Sequence, residues 1–215
     1  MLHKEAINQS TLDLLIRLQA KTYLKGFYLV GGTALALRMG HRKSVDIDLF
    51  SGFSFDVAQM LENLSADFNF KLFFSAPNTI KGSIENVQVD ILAHRYPLVL
   101  EPVNIEGITM LSLQDILAMK LNAITTSGQR VKDFIDVFYL LRKFSLADML
   151  KFYKMKYSQY NDINVLKSIT YFEDVDLADW PQIVINPDLK WGNVKKKLIY
   201  ATKDYLNSGN ITKEK

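Results

Sequence analysis

Apolar residues in this chain change their spacing once, near Ser112, and that change limits the fold to a strand-bearing half followed by a helical half. Before Ser112, short runs rich in Val, Ile, Phe and Tyr alternate with turn signals: Phe27–Val30, Val45–Phe50, Lys71–Phe74, Thr79–Glu85 and Val87–Ala93. Asn78 and Gly82 bracket the expected hairpin turns. After Ser112 the spacing is helical through Leu113–Thr125, Arg130–Phe144, Leu146–Tyr157 and Val194–Leu206. Ser112 with Asp115 reads as a capping-box start. The expectation is an α+β protein with a small mixed sheet in residues 1–111 and a helical domain in 112–215.

Composition narrows the chemistry. With no Cys among 215 residues, disulfide scaffolds, Cys-ligated zinc and thiol nucleophiles are excluded. Hydrophobic residues at 48% and charged residues at 23% suit an ordinary globular core rather than a disordered chain. No apolar run approaches the ~18 residues of a membrane span, and Met1–Ser10 lacks a secretory pattern. A cytoplasmic protein is expected. The net charge of +3 divides unevenly: seven Lys between 190 and 215 against Asp204 and Glu214 give +5 there and leave −2 elsewhere. Such a tail suits a phosphate-rich partner or a solvated helix face.

Val30-Gly31-Gly32-Thr33-Ala34-Leu35 runs from an apolar strand into a helical pattern. Two glycines there allow a sharp turn and close approach, and the helix's first N–H groups form an anion site. On these residues alone a plain packing turn is preferred. In Ser44-Val45-Asp46-Ile47-Asp48-Leu49-Phe50 a strand would place Asp46 and Asp48 on one face, about 7 Å apart at Cα, and turn Val45, Ile47 and Leu49 into the core. Paired carboxylates repel unless a cation or water relieves them, and Mg²⁺ is the hard cation that a few aligned oxygens satisfy. An amphipathic strand with a wet acidic face explains the pair as well. Asp90, between Val89 and Ile91, lies on the polar face of another strand; if that strand neighbours the first, three carboxylates converge. Such a set can hold two metal ions for in-line displacement at phosphorus.

In the helical half, Lys120 interrupts the stripe Leu113, Ile116, Leu117, Leu121, Ile124. A buried ammonium requires an anion, either a ligand phosphate or a carboxylate. Asp133 borders the next helix's stripe, whereas Lys132 and Asp136 are placed off it. A structural Lys120–Asp133 pair and a ligand role weigh equally. His3, His41 and His94 lack metal-ligand spacing. Phe68, Phe70, Phe73 and Phe74 are expected in the core, and Tyr153, Tyr157 and Tyr160 in helix packing rather than base stacking.

Taken together, Gly31–Leu35 and Gly40-His41-Arg42-Lys43-Ser44-Val45-Asp46-Ile47-Asp48-Leu49-Phe50 resemble the AbiEii/AbiGii toxin family of the DNA polymerase beta-like nucleotidyltransferase superfamily. The family's later motif, a helical Lys followed by a basic residue and Asp-x-x-Asp, is matched by Lys120 and then Arg130-Val131-Lys132-Asp133-Phe134-Ile135-Asp136. The resemblance spans roughly residues 27–141. It implies a minimal nucleotidyltransferase fold and transfer of a nucleotidyl group from a nucleoside triphosphate (NTP), with two Mg²⁺ ions. By position, Gly31, Gly32 and Thr33 would hold the triphosphate, helped by Ser44. Asp46, Asp48 and Asp90 would bind metal, and Asp90 would take the proton of the attacking hydroxyl. Lys120 and Asp133 would be the functional pair, with Arg130 and Lys132 on the phosphate or acceptor path. Many relatives carry Arg where this chain has Lys132. The implied acceptor is RNA, tRNA in particular, and the implied partner an antitoxin. A small antibiotic-like acceptor, or a non-catalytic nucleotide-binding module, are the alternatives.

Overall fold

The computed structural model describes residues 1–159 and 161–208; Tyr160 and the tail lysines Lys213 and Lys215 lie outside the described residues. The described chain divides into two compact units, Met1–Ser112 and Leu113–Lys215.

The first unit is built on a mixed sheet of seven strands: β1 (Tyr28–Leu29), β2 (Ile47–Ser51), β3 (Lys71–Ala76), β4 (Thr79–Ile84), β5 (Val87–Ala93), β6 (Val103–Ile105) and β7 (Ile108–Met110). Their order is β3-β4-β5-β2-β1-β7-β6, with β2 parallel to β5, β1 parallel to β7 and the other pairs antiparallel. Three helices belong to this unit: α1 (Gln9–Gln19), α2 (Gly31–Met39) and α3 (Val57–Asp67). Leu14, Leu15 and Leu18 of α1 are fully buried, each worth about 1.5–3 kcal/mol of apolar burial. β6, β7, α1 and α3 carry no turn or periodicity signal that the sequence analysis had singled out.

Burial alternates along β2; along β5 it breaks at Asp90, which is only 6% exposed between Val89 and Ile91. Ile47 and Leu49 are fully buried while Asp46, Asp48 and Phe50 are half-buried on the other side. Val89 and Ile91 of β5 are likewise enclosed, with Gln88 exposed. The β4–β5 hairpin turns on Glu85 and Asn86, both at positive φ (51° and 65°), as a tight two-residue turn requires. That turn sets the whole register from Ile84↔Val87 to Lys81↔Asp90.

Three expectations are corrected. Val45 precedes β2 and is exposed rather than turned into the core. Phe73 and Phe74 lie on the edge strand β3, 67% and 52% exposed, so only Phe68 of that aromatic group is core. Gly82 is no turn residue. It sits inside β4, where a side chain would strike the Lys71 carbonyl and the Phe70 ring.

The second unit holds α4 (Leu113–Thr126), α5 (Val131–Leu140), α6 (Leu146–Lys156), α7 (Asp162–Ser168) and α8 (Trp191–Asn207). Among the described residues, no helix is long and apolar enough to cross a membrane. α6 starts with a reciprocal capping box between Ser145 and Asp148. Trp191 meets Phe134 and Phe172 edge-on, those two rings tilt against each other at 59°, and Tyr153 packs against Tyr157. Asp115, in the first turn of α4, is fully enclosed against Lys156 at 2.8 Å.

A buried ion pair of this kind is costly to break one-sidedly, because the remaining charge stays in low dielectric. Lys156→Met should therefore lower stability by about 3–5 kcal/mol in urea denaturation, and adding Asp115→Leu should restore most of the loss. At the α6 cap, the Ser145 side chain and then its backbone N–H hold the Asp148 carboxyl below its usual range. The resulting stabilisation is present above the unfolded-state carboxyl range and is lost as pH falls through the lowered folded-state value. Ser145→Ala should cost about 0.5–2 kcal/mol at neutral pH and flatten that acid limb, as read from unfolding curves between neutral and acid pH.

Candidate functional site

The chain leaves β1 through an extended Val30, whose N–H donates to the Asp48 carbonyl at 3.0 Å, and turns directly into α2. Gly31 makes the turn at φ +68°, a left-handed value that side-chain-bearing residues resist. It also faces Asp48: a methyl group at Gly31 would overlap that carboxylate, whose Cγ would stand at 3.2 Å. Gly32 faces the opposite charge. A methyl there would meet Arg42 Nη2 at 2.6 Å and Ser44 Oγ at 3.2 Å. Glycine is thus favoured by conformation at Gly31, and at both positions a side chain would have to push a charged neighbour aside.

Thr33, 1% exposed, lies with Oγ1 2.9 Å from Ser44 Oγ and donates to the backbone carbonyl of Asp46. The Thr33 side chain therefore ties α2 to the 44–46 segment, which leaves its backbone N–H, with those of Gly31 and Gly32, at the helix start. Those N–H groups and the helix dipole give the turn its affinity for anions.

Parallel pairing of β2 with β5 sets Asp48 directly opposite Asp90. Neighbouring strands run about 4.8 Å apart and directly paired side chains share a face. Lys81 of β4 pairs with Asp90 from the other side, so Asp48, Asp90 and Lys81 form a row across three strands. Lys81 Nζ holds Asp90 Oδ2 at 2.6 Å, and Gln88 Nε2 approaches Oδ1 at 3.4 Å. Asp46, half-buried, lies just before the start of β2. Among the described residues, no three of His, Cys, Asp and Glu stand together as a metal cage. The donors at Asp46 and Asp48 are nonetheless of the right kind for a hard divalent ion, which takes carboxylate oxygens and keeps part of its water.

In the helical unit, Lys120 is 6% exposed and its ammonium meets two carboxylates, Asp133 Oδ1 at 2.6 Å and Asp136 Oδ2 at 2.8 Å. Spacing of i, i+3 puts both acids on one side of α5. Asp136 is fully buried, not off the packed face: α5 is enclosed on nearly every side, so a single apolar stripe misjudges it. Arg130 Nε lies 3.8 Å from Asp133 Oδ2, with its side chain 63% exposed. Lys132 is held by Asp179 at 2.6 Å.

The sequence leaves Lys81 without a signal and gives Arg42 and Asp136 no role of their own, although both lie inside the motifs quoted above. Lys81 was reachable, since placing the hairpin turn at Glu85–Asn86 pairs it with Asp90 by counting. Arg42 had no signal except its place between Gly40 and Ser44, because its contact with Gly32 is tertiary.

Residues 13–106 and 69–208 match the model of the family described as nucleotidyl transferase AbiEii toxin, Type IV TA system. The chain belongs to the AbiEii nucleotidyltransferase toxin family. It is 31% identical over 191 residues to an uncharacterized protein of Aquifex aeolicus, aq_aa25, covering 85% of this chain and 89% of that protein. Its fold is similar to that of JHP933 from Helicobacter pylori (TM-score 0.58, 17% identity, 95% and 96% of the two chains). It is also similar to MenT4, a nucleotidyltransferase toxin of Mycobacterium tuberculosis (TM-score 0.62, 13% identity, 90% and 80%). This AbiEii chain is accordingly a nucleotidyltransferase with an α+β nucleotidyltransferase-toxin fold.

Replacing Gly31 by Ala should cost about 1–3 kcal/mol for the left-handed backbone and displace the Asp48 side chain besides. Thermal unfolding of Gly31→Ala against wild type measures the first effect, and a shift of the Asp48 carboxyl carbon resonance reports the second.

Proposed function

We propose that this AbiEii protein is a cytoplasmic Mg²⁺-dependent toxin that transfers a nucleotidyl group from an NTP to a hydroxyl of RNA, tRNA in particular, and is countered by a cognate antitoxin. The observation that carries the reading is the in-register pairing of Asp48 with Asp90 beside a glycine turn whose Gly31 takes a left-handed φ against the Asp48 carboxylate.

In this reading the backbone N–H groups of Gly31, Gly32 and Thr33, helped by Ser44, hold the triphosphate, where the helix dipole favours negative charge. Asp46 and Asp48 would hold Mg²⁺, with Asp90 as the third carboxylate; when bound, the metal neutralises phosphate charge and orients the leaving pyrophosphate. Asp90, aligned by Lys81, accepts the proton of the attacking hydroxyl. The new bond joins the acceptor oxygen to the α-phosphorus, the bond from that phosphorus to the bridging oxygen breaks, and pyrophosphate leaves. Residues 1–111 form the nucleotidyltransferase domain and 112–215 a helical domain. Lys120 and Asp133 are assigned to the family's functional pair, and Arg130 and Lys132 to the phosphate or acceptor path.

The +5 charge between Lys190 and Lys215 supports an RNA acceptor over a small molecule, since phosphate neutralisation supplies most non-specific RNA affinity. Purified protein incubated with labelled NTPs, Mg²⁺ and total tRNA should transfer label. Asp48→Asn should lower the rate by roughly 10²–10³-fold, the scale of losing one transition-state electrostatic group, with an unchanged circular dichroism spectrum. Equal label transfer by wild type and Asp48→Asn would sink the assignment.

A further inference from the structure

Consecutive glycines at the start of α2 answer to two different partners. Gly31 makes room for a carboxylate, that of Asp48, and Gly32 for a guanidinium, that of Arg42. Arg42 is charged at any physiological pH and yet is only 2% exposed. Its Nη1 donates to the Lys43 carbonyl at 3.0 Å. Its Nη2 and Cζ would stand 2.6 Å and 3.5 Å from a methyl on Gly32, and the same methyl would meet Ser44 Oγ at 3.2 Å. The guanidinium therefore lies against Gly32 at the start of α2 and is hydrogen-bonded to the backbone of the segment that carries Ser44.

The enclosed guanidinium is hydrogen-bonded to the Lys43 carbonyl and is not left without partners, as a buried charge requires. A fixed positive charge behind the first N–H groups of a helix adds to the partial positive charge of the helix end, and salt screens enclosed charges little. In the free protein, the Asp48 carboxylate resting on the neighbouring glycine stands near this charge. When a polyanion arrives at the turn, the buried guanidinium is already in place and no side chain must be ordered to meet it.

We propose that Arg42 is a positioning residue for the NTP: it braces the Gly31–Gly32 turn and Ser44, and supplies a buried positive charge behind the triphosphate. This rests on the reading that the turn holds the triphosphate. Arg42 acts through the turn and Ser44, so the effect falls on nucleotide binding rather than on the chemical step.

A double-mutant cycle tests it on the full-length chain, with calorimetric titration of each NTP in Mg²⁺, steady-state kinetics, and thermal unfolding. Arg42→Lys keeps the charge and loses the planar fork, and should weaken NTP binding about 10-fold. KM should rise with kcat held within about 2-fold, the pattern of lost uniform binding. Gly32→Ala should weaken binding comparably, because its methyl displaces the guanidinium. In an Arg42→Ala background the same methyl loses its tightest contact and keeps the one with Ser44 Oγ at 3.2 Å, so Gly32→Ala should add less than about 2-fold. Additive effects on NTP affinity would overturn the proposal. So would coupling seen in thermal unfolding while NTP affinity stays unchanged, since a purely structural contact behaves that way. Should Arg42→Ala fail to fold by circular dichroism, the KM-against-kcat split of Arg42→Lys decides alone. A wild-type chain that binds no NTP refutes the functional reading itself, whereas tight wild-type binding with additive variants refutes only the role of Arg42.

Discussion

The pairing of β2 with β5 is the constraint on which the first unit's acidic face depends. Parallel strands in this register set Asp48 beside Asp90 by main-chain hydrogen bonds, before any side chain is considered. Two carboxylates so placed repel each other, and the neighbours are arranged to match. Lys81 arrives from β4 through a two-residue hairpin that leaves it opposite Asp90. Gly31 leaves space for the Asp48 carboxylate where any other residue would fill it. A shift of one residue in β2 would turn Ile47 and Leu49 outward and the acids into the core, so burial on one face protects the alignment on the other.

The helical unit treats charge differently. There, Lys120 is enclosed with Asp133 and Asp136, and Lys156 with Asp115, all but fully removed from water. Such pairs contribute little net stability over apolar packing but are strongly unfavourable to break one-sidedly, which makes them devices for fixing helix register. The Lys120 cluster is more open to chemistry than the Lys156 pair, because the exposed Arg130 approaches Asp133 from the solvent side. This difference gives a physical ground for separating the two buried lysines, of which the sequence pattern marks Lys120 alone.

Membership of the AbiEii family and the likeness to MenT4 and JHP933 agree with a transferase fold, while the residue-level account stands on local geometry. In that geometry almost every motif residue has a second duty. Thr33 and Ser44 tie the helix start to the strand that bears Asp46 and Asp48, and the glycines receive a carboxylate and a guanidinium on successive α-carbons. A strand-to-helix turn built this way is held by the side chains packed against it.

Much of this was legible in the chain. Period-two alternation through Asp46–Phe50 and Val87–Ile91, the glycine pair at a strand-to-helix junction, and a lysine inside an apolar stripe are local patterns, and local patterns follow from backbone geometry that every chain shares. Reading failed where the deciding partner was distant. Phe73 and Phe74 look like core residues, yet they fall on an edge strand with nothing packed over it. Asp136 looks like a surface acid, yet α5 is surrounded. By itself the sequence determined which residues share a face and where the chain must turn. Only the tertiary structure decided which faces meet, because strand order and the partner of each buried charge depend on contacts between segments far apart in the chain, whose energies no local spacing encodes.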